Sequence, residues 1–137
     1  MMNALSLREN SNRREARVIS IILVEDSLAV RKRLRGILDD IQRFRVAGEF
    51  DTAQDAIAAI TAEPPDIVLL DIKLRVGNGI EVLRHVRQHA PSAKVIVFSQ
   101  HDDAGYREQF AQAGADLFFN KTHEARQLVA ALTGLAV

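Results

Sequence analysis

A doubly wound α/β fold, a five-stranded parallel sheet with helices on both faces, is the expectation for this 137-residue chain. Three observations lead to it. Short β-branched apolar runs recur along the chain, amphipathic helical stretches fall between them, and turn-forming residues separate the two. Strands spaced by helices join through right-handed crossovers, which makes the sheet parallel and buries it on both sides.

The segment 1–17 is polar and carries Arg8, Arg13, Arg14 and Arg17. It reads as a flexible basic tail ahead of a single domain over 18–137. A basic arm that docks on an acidic partner is the functional alternative, but so few apolar residues favour a solvated extension. Ile19 to Val24 forms the first buried strand. Ser27 can cap a helix in which Leu28, Val30, Leu34, Ile37, Leu38 and Ile41 recur at helical spacing. Phe44 to Phe50 alternates like a half-buried strand, and the alanine-rich helix Thr52 to Ala62 is stopped by Pro64 and Pro65. Asp66 to Asp71 is a third strand closed by an acid. A glycine-bearing loop leads to a helix from Ile80 to His89, which Pro91 ends. Lys94 to Phe98 is a fourth strand, and Ala104 to Ala113 a helix ending at Gly114. Asp116 to Asn120 and His123 to Leu132 supply the last strand and helix.

Composition narrows the function. The 18 basic and 18 acidic residues cancel, so the chain lacks the basic excess of a typical nucleic-acid binder, and no direct nucleic-acid binding is expected. The absence of cysteine excludes disulfides and thiolate metal sites. No apolar run is long enough to span a bilayer and no secretory signal is visible, so a cytoplasmic protein is expected.

Open parallel sheets carry their chemistry at the carboxyl ends of the strands. Glu25 and Asp26 follow the first strand and Asp71 the third; the fourth runs into Ser99 and the fifth into Lys121. Acids gathered in one crevice raise one another's pKa unless a cation compensates. An all-oxygen set suits magnesium. A metal, a lysine and a hydroxyl around a carboxylate is an arrangement for phosphoryl transfer, with Asp71 best placed as acceptor. Taken singly, each residue has a duller reading: a turn acid, a turn hydroxyl, a surface lysine. Their joint placement at four strand ends carries the argument.

At this point the chain resembles the receiver domains of two-component response regulators. The matching stretches are Ile22-Leu23-Val24-Glu25-Asp26-Ser27, Pro65-Asp66-Ile67-Val68-Leu69-Leu70-Asp71-Ile72, Val95-Ile96-Val97-Phe98-Ser99 and Ala113-Gly114-Ala115-Asp116-Leu117-Phe118-Phe119-Asn120-Lys121. The likeness runs from about Val18 to the C-terminus. It implies strand order 2-1-3-4-5 and a signal-transducing phosphoprotein whose Asp71 becomes an aspartyl phosphate, supplied by a histidine kinase or a histidine phosphotransfer protein. Mg2+ would be held by Asp26 directly, Glu25 through water, Asp71, and the backbone carbonyl of Lys73. Ser99 would hydrogen-bond the phosphoryl group and Lys121 would pair with it. Phe118 lies at the switch aromatic that turns inward once Ser99 moves, and Gly79 at the glycine that lets the loop enter its helix. Lys73 and His101 occupy the variable positions that tune phosphoryl lifetime, with ordinary solvated side chains as the alternative.

Three positions depart from the pattern. Arg75 replaces a proline and is expected to loosen the loop after Asp71. Gln100 replaces a small residue. Thr122 replaces a proline that follows the lysine across a cis bond; a cis bond before any other residue costs ~3 kcal/mol, so the loop either carries that cost or is trans. No departure removes a reacting group. His85 and His89 share a helix face at a spacing that suits zinc, but without a third ligand a surface pair is expected.

The expected function is thus a stand-alone, phosphorylation-controlled switch. It catalyses only its own phosphorylation and dephosphorylation, and it signals to a downstream protein through the last two helices and fifth strand. A homodimer through the same region fits the resemblance. The alternatives are a phosphate-independent adaptor and the receiver portion of a longer regulator. A nucleotide hydrolase of another doubly wound family is opposed by the lack of a glycine-rich phosphate loop after Val24.

Overall fold

The computed structural model describes residues 17–101 and 103–137. The chain alternates strand and helix throughout: β1 Ile19–Val24, α1 Leu28–Ile41, β2 Phe44–Phe50, α2 Ala53–Ala62, β3 Ile67–Leu70, α3 Gly79–His89, β4 Lys94–Ser99, α4 Ala104–Gln112, β5 Leu117–Asn120 and α5 Ala125–Leu135. All five strands are parallel, in the order β2-β1-β3-β4-β5. The expected flexible tail falls outside the described residues apart from Arg17, whose guanidinium lies 3.2 Å from the Asp66 carboxylate.

The sheet separates two apolar layers. Ile22, Val24, Val68, Leu70, Val95 and Val97 point to one side and pack with α2, α3 and α4. Ile21, Leu23, Ile67, Leu69, Ile96 and Phe98 point to the other and meet Leu34 and Leu38 of α1 and Leu128 and Leu132 of α5. This alternation explains why Ile21–Val24 of β1, all of β3 and Val95–Phe98 of β4 read as continuous apolar runs: along those stretches neither face is left to water. Each fully buried side chain such as Leu23, Leu83 or Phe110 contributes roughly 1.5–3 kcal/mol relative to exposure.

The helix starts are fixed by side chains that accept otherwise unpaired N–H groups. Ser27 accepts from Val30 N at 3.3 Å, Thr52 from Asp55 N at 3.2 Å and Asp103 from Tyr106 N at 3.0 Å. Asn78 accepts from Ile80 N at 2.9 Å while Glu81 reaches back to Asn78 N at 3.1 Å, a reciprocal pair that sets the entry to α3.

Register brings the strand ends level. Val24 is opposite Leu70, Leu70 is opposite Val97, and Ser99 is opposite Asn120. The residues that follow each strand therefore emerge along one rim. No helix among the described residues is long and apolar enough to cross a membrane.

Candidate functional site

Glu25, Asp26 and Asp71 converge at that rim, each offering a carboxylate oxygen within 4.8 Å of the others. Glu25 and Asp71 are buried, 3% and 5% exposed, whereas Asp26 faces solvent. The backbone aims them: Glu25 N donates to Phe50 O and Asp71 N to Val24 O, both at 2.9 Å. Arg31, one turn into α1, donates to the Glu25 carbonyl at 2.7 Å and fixes the turn in which both acids sit.

Lys121 reaches into the cluster from the turn after β5. Its Nζ donates to Asp71 Oδ2 at 2.7 Å and to Glu25 Oε1 at 2.9 Å. The other Asp71 oxygen accepts from Ile72 N at 2.7 Å. Burial pushes the Glu25 carboxyl up to about 7; the Lys121 hydrogen bond opposes the rise and the neighbouring Asp71 charge adds to it. For Lys121, burial alone would lower the ammonium pKa, but the bonds to Asp71 and Glu25 outweigh it and hold the group above its ordinary value.

A cation already sits where the acids meet, and three clustered carboxylates demand more than one positive charge. The set fits magnesium: the candidate ligands are all oxygen, and solvent-facing Asp26 leaves room for retained waters. Asp71, with Glu25 and Asp26 beside it, is on the rim of the sheet. A cavity of about 390 Å³ opens at the opposite ends of the strands, beside Asp66 and Lys94, and touches none of these residues.

Ser99 is fully buried; its hydroxyl accepts from His101 N at 3.2 Å and its carbonyl from Lys121 N at 3.0 Å. That second bond ties the ends of β4 and β5 together and sets the height of Lys121. His101 is half-buried with its ring edge-on to Tyr106, centroids 6.4 Å apart. Phe118 is half-buried, edge-on to Phe110, with the Arg107 guanidinium 4.7 Å above its ring. Lys73 is exposed in the loop after Asp71, so its side chain lies apart from the acids' buried core. Gly79 is buried against that loop and its N–H donates to Ile72 O at 2.7 Å.

No cis peptide occurs among the described residues, so the bond before Thr122, which the sequence left open, is trans. One feature differs from the expectations. The loop carrying Arg75 is tied down and not loosened, because Arg75 keeps an N–H that proline lacks, and it donates to Asp51 O at 2.9 Å. Sequence reasoning also passed over Asn120. It is buried, and its Oδ1 accepts from Thr122 N at 2.7 Å and His123 N at 2.9 Å, which shapes the turn that presents Lys121. An asparagine directly before the lysine, at a strand end, was the available signal.

His85 and His89 stack with centroids 4.2 Å apart, and His85 Nε2 pairs with Thr61 Oγ1 at 2.8 Å. Among the described residues no third ligand joins them.

Comparison with known proteins gives one consistent picture. The family model of the response regulator receiver domain matches residues 21–133. The transcriptional regulatory protein DegU of Brevibacillus brevis is 30% identical over 118 residues, covering 86% of this chain and 50% of that protein. The response regulator UvrY of Escherichia coli O6:H1 is 30% identical over 115 residues, covering 84% and 53%. The chain thus spans about half the length of the curated relatives it matches. Among solved structures, a LuxR-family two-component response regulator from Aurantimonas sp. SI85-9A1 superposes with TM-score 0.79 at 28% identity, covering 87% of this chain and 85% of that one. The response regulator domain of Thermotoga maritima CheB gives TM-score 0.76 at 28% identity, covering 88% and 94%.

Proposed function

The chain belongs to the response regulator receiver domain family, and from that premise we propose that it accepts a phosphoryl group on Asp71 and relays the change through the face formed by α4, β5 and α5. The observation that supports this most is the contact of one lysine with two buried acids, Lys121 with Asp71 and Glu25, at the carboxyl rim of the sheet. Such a group neutralises charge where a phosphoryl group would arrive.

In this reading the donor is a phosphohistidine of a kinase or phosphotransfer protein. Asp71 Oδ2 attacks phosphorus in line, an O–P bond forms, the N–P bond to the imidazole breaks, and the released nitrogen takes a proton. Asp26, Glu25 through water, Asp71 and the Lys73 carbonyl would hold Mg2+, which when bound would supply positive charge to the phosphoryl oxygens. Lys121 moves its hydrogen bond from the Asp71 carboxylate to the incoming phosphoryl oxygen. Ser99 then exchanges its bond from His101 N for one to the phosphoryl group, and Phe118 follows toward the space behind it. The change is read on the surface where Arg107 and Phe118 lie together.

The domain spans 18–137 and works in the cytoplasm. Its output takes one of two routes: a separate protein bound to the α4-β5-α5 face, or a further part of the same regulator. The second is supported by the match to only about half of the transcriptional regulatory protein DegU and by the likeness to a DNA-binding response regulator of the LuxR family from Staphylococcus aureus, which suggest a DNA-binding output for the whole protein. Incubating the full chain with magnesium and a small phosphodonor, followed by intact-mass measurement, tests the reading. Wild type gains one phosphoryl group and Asp71→Asn gains none; equal labelling of both, or of neither, overturns it.

A further inference from the structure

We infer that Asp51 and Arg75 form a charged clamp that positions the loop after Asp71 for metal binding. The inference rests on the metal reading above and names two residues outside it. Asp51 directly follows β2, and Arg75 lies four residues after Asp71, where the family pattern has proline. Three kinds of contact join the two segments. Arg75 Nε donates to Asp51 Oδ2 at 2.8 Å, with Nη2 at 3.4 Å from Oδ1. Arg75 N donates to Asp51 O at 2.9 Å, and Ala53 N donates to Val76 O at 3.0 Å, a short parallel pairing between Thr52 and Val76.

On its other side the loop closes on itself. Lys73 pairs with Asn78 as an antiparallel bridge, and Gly79 N donates to Ile72 O at 2.7 Å. Residues 72–78 are therefore a closed loop attached at its outer edge to the end of β2. Lys73, whose carbonyl is the proposed metal ligand, is part of the closing bridge and lies two residues before the clamp at Arg75. A loop held only at its base could swing that carbonyl away from Asp71; the contacts at Arg75 and Val76 remove that freedom.

The side chains of Arg75 and Asp51 are 61% and 35% exposed, so the ion pair adds little to global stability and is weakened by salt. Its effect belongs to the loop. That separates a positioning role from a merely structural one.

The test uses the full chain and four variants: Arg75→Ala, Arg75→Lys, Asp51→Asn, and the charge swap Asp51→Arg with Arg75→Asp. Three quantities are measured: magnesium affinity by calorimetry with MgCl2, amide hydrogen exchange at Ala53 and Arg75, and the urea midpoint. Arg75→Ala and Asp51→Asn are expected to bind magnesium about three- to fivefold more weakly. Their Ala53 and Arg75 amides exchange faster, while their urea midpoints stay at the wild-type value. Arg75→Lys and the swap recover part of the affinity. Unchanged affinity and exchange in Arg75→Ala overturn the clamp while leaving the metal reading intact, as does a loss of affinity that only tracks a fall in urea midpoint. Absence of magnesium binding by the wild type overturns the metal reading, and the clamp falls with it.

Discussion

Replacing Gly79 with alanine is predicted to damage both the fold and the acceptor site, whereas the same change at Gly36 should help. A Cβ on Gly79 would lie 2.3 Å from the Asp71 carbonyl oxygen and 3.2 Å from both Asp71 C and Ile72 Cα. Relief requires a shift of about 1 Å, since non-bonded carbon contacts settle near 3.5 Å. Neither neighbour is a flexible side-chain tip. Asp71 is 5% exposed and pinned by its 2.9 Å bond to Val24 O. Overpacking of this kind costs about 1–3 kcal/mol, and two backbone segments on the same contact put Gly79→Ala near ~3 kcal/mol. Gly36 sits exposed inside α1 with nothing within 4 Å of an added Cβ, so alanine there should stabilise by about 0.5–1 kcal/mol. With a urea dependence of about 2 kcal/mol per molar, the midpoint falls by roughly 1.5 M for Gly79→Ala and rises by roughly 0.3–0.5 M for Gly36→Ala. Magnesium affinity falls in the first variant because the Asp71 backbone moves, and holds in the second. A Gly79→Ala protein within about 0.5 kcal/mol of wild type would refute the close approach on which the reasoning rests.

Other outcomes follow from the same geometry. Lys121→Ala leaves Glu25 and Asp71 facing each other without the cation between them, and should lower stability by about 2–3 kcal/mol in metal-free buffer; urea unfolding with and without MgCl2 should show magnesium returning much of it. The Glu25 carboxyl, raised from 4.5 to about 7 in the fold, favours its protonated form there. Its contribution to metal-free stability is complete below about 4.5 and is lost as pH rises toward 7; melting temperatures across that range should fall less steeply in Glu25→Gln. Lys73→Ala and His101→Ala should change the half-life of phosphorylated Asp71 severalfold with little change in urea midpoint, since both side chains lie on the rim and neither is in the core. Identical half-lives measured by mass spectrometry would count against that tuning role. Replacing His89 with alanine should raise the His85 titration midpoint seen by NMR, though burial keeps it below the ordinary histidine value; an unmoved midpoint would show that the stacked ring's charge is not felt.

The sheet was legible because Ile21–Val24 of β1, the whole of β3 and Val95–Phe98 of β4 are buried on both faces and so carry unbroken apolar runs. Once the strands were placed, register brought Glu25, Asp26, Asp71, Ser99 and Lys121 to one rim. What the sequence hid is mostly backbone hydrogen bonding. The last helix begins at Ala125 and not at His123, because Asn120 Oδ1 captures the Thr122 and His123 N–H groups into a turn. The loss of proline at Arg75 suggested a looser loop, yet the restored N–H and the guanidinium find Asp51, a partner 24 residues earlier that no local pattern could name. The Arg107 contact with Phe118 is of the same kind: it joins α4 to β5 across a separation of 11 residues, and only tertiary packing reveals it.

The proposed switch depends on a divalent cation held among Glu25, Asp26 and Asp71. Substituting paramagnetic Mn2+ and recording amide signals tests it most directly. Sub-stoichiometric Mn2+ is expected to broaden selectively the amides of Asp26, Ile72 and Lys73, and Asp26→Asn to weaken this effect roughly tenfold or more. Broadening centred elsewhere, or undiminished in Asp26→Asn, would contradict it.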